Sequence, residues 1–294
     1  MTTIGNPLHP LNVIKQSAFW AIHLGCLLVF VVGCSWTAFA VCMALYVLRM
    51  FAITGVYHRY FSHRSYKTSR FFQFVLAWLG ASSAQKGPIW WASHHRHHHQ
   101  FSDTEEDIHP PRIYGLWWAH VGWVLSTQFI GTRTELVKDL LKFPELRWLD
   151  TYHLIPPMLL MIGVTGFGYL CQIYFPELQT NALQMFVWGF CVSTTLLYHG
   201  TFCINSLAHI VGKPRFVTGD DSKNSFWLAI ITLGEGWHNN HHRYPGSERQ
   251  GFYWWEVDIS HYFLKALSCL GLVWDLREPP SRIYQEAHEH KLTA

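Results

Sequence analysis

Three short stretches hold most of the side chains that could do unusual chemistry. "HRYFSH" carries His58 and His63, "SHHRHHHQ" carries His94, His95, His97, His98 and His99, and "HNNHH" carries His238, His241 and His242. The second and third share the spacing H-x-x-H-H. On a helix, positions i, i+3 and i+4 lie on one face with Cβ atoms roughly 5–6 Å apart. Two such faces and a pair at a helix end can surround one polar pocket. Imidazole is a good ligand for iron, zinc and copper, and neutral rings leave the metal strongly cationic. Such a centre suits the removal of hydrogen from an inert substrate. A single-zinc hydrolase needs three ligands and a water, and its H-E-x-x-H helix is missing from this chain. A purification tag would sit uninterrupted at a terminus, and a loose metal-scavenging tract would not repeat one spacing. His97 points off the ligand face of its box and is expected in an outer or surface role. Isolated histidines such as His9, His23 and His261 are expected to be surface or satisfied buried side chains.

These boxes need elements to hold them. From Ala18 to Val47 there is no Lys, Arg, Asp or Glu, and the apolar character runs on to Tyr57. At about 1.5 Å per residue this is enough for two membrane passes of about 20 residues each, turning at Gly33-Cys34-Ser35. A second apolar stretch, broken by "YFPELQTN", gives another hairpin. The expected spans are therefore 18–34, 36–57, 154–174 and 182–204. No Lys or Arg falls within 16–48 or 148–212, so the positive-inside bias places both hairpin tips outside and both termini inside. The single domain 1–294 then has a cytoplasmic helical cap of residues 58–153 and 205–294. Within the cap, Phe71–Ala84 reads as a helix lying in the membrane interface, and the Trp pairs 90–91, 117–118 and 254–255 suit an interfacial belt. The fold class is all-α and integral to the membrane.

Bulk composition agrees. Half of the 294 residues are apolar and 14% are charged, against about 25% in soluble domains. The net charge of +3 comes with no basic stripe, which argues against a nucleic-acid partner. The seven cysteines form no CxxC pair and read as small buried hydrophobes with no disulfide framework.

"GVYHRYFSHRSYKT", "HHRHHHQFSDTEEDIHPPR", "NSLAHIVG" and "GEGWHNNHHRYP", in this order around two helical hairpins, resemble the integral-membrane fatty acyl desaturases of the stearoyl-CoA Δ9 type. The likeness spans roughly residues 40–260. It implies four transmembrane helices with a cytosolic cap holding two Fe2+ ions, and it adds Asn205 and His209 to the site. Carried over by motif, one iron would be held by His58, His63, His95, His99 and His242. The other would be held by His98, His209, His238 and His241, with Asn205 reaching it through water. The implied reaction is O2-dependent removal of two vicinal hydrogens from a saturated acyl chain, giving a cis double bond, most simply at Δ9. Beyond the metal centre no separate catalytic residue is expected. Short chains of this kind resemble bacterial members, which implies an inner-membrane enzyme.

Fixed regiochemistry requires a narrow bent tunnel. Trp78, Trp90, Trp91, Trp123, Thr201 and Phe202 are candidate walls, and animal relatives usually have Trp where Phe202 stands. In those relatives a basic–acidic pair before the second box helps hold CoA; here the positions are Ser93 and His94. Lys86, Arg96 and Arg112 are alternative phosphate contacts. Acyl-CoA is the first expectation for the substrate, with acyl-lipid or an acyl-carrier-protein thioester as competitors. The HPGG signature of a fused cytochrome b5 domain is absent, so a ferredoxin, cytochrome b5-like protein or flavin reductase is expected to supply electrons. Three rivals stand beside this reading. A related hydroxylase would differ only in product. A membrane metal transporter or store would place its ligands within the spans. A b-type cytochrome would need better paired histidines than His23, His153 and His199.

Overall fold

The computed structural model describes residues 16–293, with side chains to Ala287. The segment 1–15, expected on the cytoplasmic side, lies outside the described residues. Helix α1 (Ser17–Val32) is followed across Gly33 by α2 (Trp36–Ser62), then α3 (Arg70–Ala81) and α4 (Pro88–Phe101). A second apolar pair, α5 (Ile155–Tyr174) and α6 (Ala182–His209), comes next. The remainder contains α7 (Phe226–Ile231), α8 (His238–Arg243), α9 (Ile259–Cys269) and α10 (Ser281–Thr293). A two-residue ribbon joins β1 (Lys67–Thr68) antiparallel to β2 (Val273–Trp274), pairing Lys67 with Trp274.

Among the described residues three helices, α2, α5 and α6, are long and apolar enough to cross a membrane. The first expected span is shorter than the other three. At about 1.5 Å per residue α1 reaches only about 24 Å, and it tightens into a 3-10 turn at Cys26–Leu28 before stopping at Gly33, whose φ of +62° suits glycine. The interfacial helix expected at 71–84 is α3, whose N-cap Ser69 accepts from the Phe72 amide.

Local chemistry explains how the box-bearing helices start. Pro88 opens α4, and the Asp150 carboxylate, 60 residues away in sequence, accepts from the Ile89 and Trp90 amides at 3.0 and 2.9 Å. That long-range cap satisfies donors a helix start otherwise leaves bare. The end of α2, Ala52–Ser62, is wound as π-helix, and the His63 amide donates to the His58 carbonyl. On an ideal α-helix residues five apart point about 140° away from each other. The wider winding brings the His58 and His63 rings to 4.9 Å, so the i, i+5 spacing of "HRYFSH" makes one face only because the helix is locally unwound.

Beneath the boxes, the fully buried Arg59 binds Asp258, Glu235 and the Glu248 carbonyl. A buried guanidinium is tolerated only with such complete pairing. Gly234, at φ +126°, is required there: a Cβ would meet Asp258 Oδ1 at 2.3 Å.

Candidate metal centre

The histidines of the three boxes converge from α2, α4, α6 and α8 into two adjoining clusters. His58, His63, His95, His99 and His241 form the first, and His98, His209, His238 and His242 the second, with ligand nitrogens in each cluster within 4.8 Å of one another. All nine expected histidine ligands are therefore brought together, but His241 and His242 have exchanged places relative to the sequence-based division. The reason is helical geometry. Residues i and i+4 are about 40° apart around a helix, whereas i+3 and i+4 are about 100° apart. In α4, His95 and His99 accordingly serve the first cluster and His98 the second. In α8, His238 and His242 serve the second and His241 the first. Each H-x-x-H-H box thus gives its outer pair to one cluster and its middle histidine to the other, while His58 and His63 both serve the first.

Carboxylates fix the rings from behind. The Nδ1 atoms of His98, His209 and His242 meet Asp107 at 2.9 Å, Asp103 at 2.7 Å and Asp220 at 2.7 Å. His58 Nδ1 is paired with Glu235. An imidazole that donates from Nδ1 turns a bare Nε2 towards the pocket, the arrangement that orients metal-bound histidines. Nitrogen atoms then crowd together: His58 and His241 Nε2 are 3.0 Å apart, His241 and His99 2.9 Å, His63 and His95 2.8 Å, and His209 and His238 3.0 Å. His242 Nε2 is buried with no partner at all. A shared proton satisfies one such pair at a time, whereas a metal cation satisfies a whole cluster. The donor set fits a metal centre.

Electrostatics favours neutral ligands. Burial, reinforced by neighbouring imidazoles, holds His63, His95, His99, His238 and His241 well below the usual histidine range. Burial also takes His242 down to about 4. His98 goes the other way: burial lowers it, but Asp107 more than offsets this.

A small cavity of about 20 Å³ lies between the clusters, bordered by His58 and His95 of one and His98, His209 and His238 of the other, and by Asn205. It has room for one water-sized molecule. Trp91, His95, His109, Thr201 and Asn205 also border a much larger cavity of about 610 Å³. Its lining is mainly apolar and aromatic, within the size range of ligand pockets. Of the candidate wall residues Trp90, Trp91, Trp123, Thr201 and Phe202 line it, and so does His94, a candidate head-group position. Trp78 does not; it packs beside Phe74 against the central core. Ser93 does not either, because it is fully buried and donates to the Trp90 carbonyl while accepting from the Arg133 amide. His97 is buried rather than on the surface, and its Nε2 donates to the Glu106 carbonyl at 2.8 Å. It thereby ties α4 to the acidic loop that supplies Asp103 and Asp107.

Sequence reasoning missed the four backing carboxylates. Their signal was present: Asp103 and Asp107 stand in "SDTEEDIH" just after the second box, and Glu235 three residues before the third. His109 was missed as well; its ring lies 4.5 Å from His98 and 5.3 Å from Trp123. Also unforeseen is a string of three rings, His23 Nε2 to His199 Nε2 at 3.2 Å and His199 Nδ1 to His120 Nε2 at 3.0 Å, which fastens α1 to α6.

Comparison with known proteins points the same way as the geometry. The chain is 37% identical over 249 residues to the palmitoyl-monogalactosyldiacylglycerol delta-7 desaturase of Arabidopsis thaliana, covering 83% of this chain and 63% of that relative's length. It is 35% identical to the delta-9 acyl-lipid desaturase 1 of the same plant, covering 92% of this chain and 84% of the relative. The acyl-CoA C20 delta5-desaturase of Anemone leveillei is also 35% identical, with 88% of this chain and 78% of the relative covered. The model of the fatty acid desaturase family matches residues 35–268. With that match spanning α2, α5, α6 and every histidine of the two clusters, the chain belongs to the fatty acid desaturase family.

Proposed function

We propose that the protein introduces a cis double bond at Δ9 into a saturated fatty acyl chain, using O2 and two iron ions. One observation carries this reading: two all-histidine clusters share a cavity sized for one small molecule, and that cavity abuts a long apolar one. In the balanced reaction, –CH2–CH2– and O2 take up two electrons and two protons to give –CH=CH– and two waters. Iron, when bound, supplies the O2 activation that no side chain can perform.

The protein's share is positioning and shielding. His58, His63, His95, His99 and His241 would hold one ion and His98, His209, His238 and His242 the other, with Asn205, which borders the small cavity, available to contribute through a water. Asp103, Asp107, Asp220 and Glu235 keep the ring nitrogens aimed inward. Stacked Trp90 and Trp123, with centroids 6.2 Å apart, and the small Thr201 set the width of the channel beside the metal cavity. Holding two adjacent methylenes there converts a floppy chain into an oriented reactant, and the apolar walls exclude water from the reactive step.

The four-pass topology belongs to this proposal, with α1 as the shortest pass, the site and both termini cytoplasmic, and the bacterial inner membrane as the location. Electrons then come from a cytoplasmic ferredoxin, cytochrome b5-like protein or flavin reductase. Expression in a host lacking unsaturated fatty acids, followed by gas chromatography of its acyl esters, tests the reading. A Δ9 monoene is expected; a hydroxy acid without alkene would replace desaturation by hydroxylation.

A further inference from the structure

The lining of the large cavity is buried along most of its length but not throughout. Phe202 and Tyr198 are 3% and 5% exposed, whereas Leu154 and Met158 are 53% and 54% exposed and Ile130 is 38% exposed. Ala18 and Ala21 on α1 line the same cavity and are also exposed. The exposed part of the wall is therefore confined to α1, the start of α5 and the loop before it at residue 130. All five side chains are apolar. They form a mouth on the flank where two apolar helices face outward, a rim suited to hydrocarbon and not to water.

The helices on either side of this mouth are fastened elsewhere. On its other side α1 is tied to α6 by His23–His199 and by Cys26–Thr195, both at 3.2 Å. Among the described residues no hydrogen bond joins α1 to α5. Parting them exchanges apolar contacts with protein for apolar contacts with lipid, so it leaves no polar group unsatisfied.

The polar groups on the cavity wall suit a modest head group and no more. Lys86 is the one permanently charged side chain among the described lining residues, accompanied by Gln85, Ser126 and His153. The arginines expected to meet a polyphosphate are already engaged. Arg96 binds both Asp139 oxygens and the Phe61, Ser62 and Leu136 carbonyls. Arg112 is paired with Asp221 at 3.0 Å.

We propose that the mouth between α1 and the start of α5 is a lateral portal, and that the substrate is an acyl chain still esterified to a membrane glycerolipid. The chain slides in sideways from the bilayer, and the glycerol end stays at the interface near Lys86 and His153. This rests on the desaturase reading and assigns its substrate class, which the relatives leave divided between acyl-lipid and acyl-CoA.

The test uses the iron-loaded protein with a ferredoxin and its reductase. One arm supplies liposomes of phosphatidylglycerol carrying deuterated palmitoyl chains. The other supplies deuterated palmitoyl-CoA in detergent micelles free of acyl-lipid. Mass spectrometry of the intact molecules reads the product. Conversion of the lipid-borne chain, with palmitoyl-CoA at least about tenfold slower, is expected. Faster conversion of palmitoyl-CoA overturns the portal and leaves desaturation standing, whereas no alkene in either arm sinks the desaturase reading and the portal with it. Ala21→Trp and Met158→Trp narrow the mouth and should slow the lipid arm by about tenfold or more at unchanged iron content. Leu170→Trp, on the outward face of α5 away from the cavity, serves as the control and should match the parent protein. Ala21→Trp and Met158→Trp proteins that hold their iron and match it too would overturn the portal.

Discussion

The two histidine clusters share one cavity, yet they are built differently. The first gathers five rings, and of these His58 has a carboxylate, Glu235, at its Nδ1. The second gathers four rings, and three of them, His98, His209 and His242, are backed by Asp107, Asp103 and Asp220. The first cluster therefore meets positive charge with ligand number and the second with nearby negative charge. Asn205 lines the small cavity that both clusters border. The lesson is that two sites made from one residue type can be distinguished by what stands behind the rings.

The largest effect should come from removing a ring. His241→Ala and His98→Ala take one ligand from the first and second cluster respectively. Each should lower desaturation by more than about 100-fold, beyond the range for outer partners, and each should cost about one of the two irons by metal analysis. The exchanged placement of His241 and His242 becomes visible here: pairing His241→Ala with His98→Ala should empty both sites, whereas His242→Ala with His98→Ala should spare the first.

Next come the backing carboxylates. Asp107→Asn, Asp103→Asn and Glu235→Gln should each reduce activity by about 10- to 100-fold through weaker metal retention. Equilibrium dialysis against a chelator should show the two Asp variants releasing the second ion first and Glu235→Gln the first ion first. The opposite order would undo the contrast between the clusters.

Acid offers a third handle, on the metal-free protein. An unfolded histidine titrates near 6.5, while burial holds His63, His95, His99 and His241 well below that value in the fold. Between the two values the unfolded chain binds more protons, so stability is full above about pH 6.5 and falls as the pH drops towards the folded pKa values. His98, raised by Asp107 despite burial, contributes in the opposite sense. His238 and His242 of the second cluster are lowered as well, so acid should destabilise the metal-free protein through both clusters, a loss that thermal melts across pH 7 to 4 can follow.

The smallest effect is expected at His97. His97→Ala loses one hydrogen bond to the Glu106 carbonyl, about 1 kcal/mol, and slackens the loop carrying Asp103 and Asp107. Activity should fall by less than about tenfold, with the second ion held slightly more weakly and the first unchanged.

Much of this was legible in the chain. Apolar runs without charge marked α2, α5 and α6, the repeated H-x-x-H-H spacing marked six histidines on two short helices, "HRYFSH" added His58 and His63, and His209 came only from the family resemblance. The carboxylates were not legible as partners. Asp103 reaches His209 across 106 positions and Glu235 reaches His58 across 177, and no local period links them. The π-winding of Ala52–Ser62, which brings His58 and His63 together, has no signature in the local sequence either.

By itself, then, the sequence determined the two H-x-x-H-H faces of candidate ligands and which segments are apolar enough for a membrane, since both follow from short-range period and composition. Tertiary structure alone decided which histidine joins which cluster, because each H-x-x-H-H box straddles the two and a difference of about 40° against 100° around a helix axis selects between them. It also decided which residues line the large cavity, because Ala21 of α1 and Met158 of α5 border it from more than a hundred residues apart in the chain.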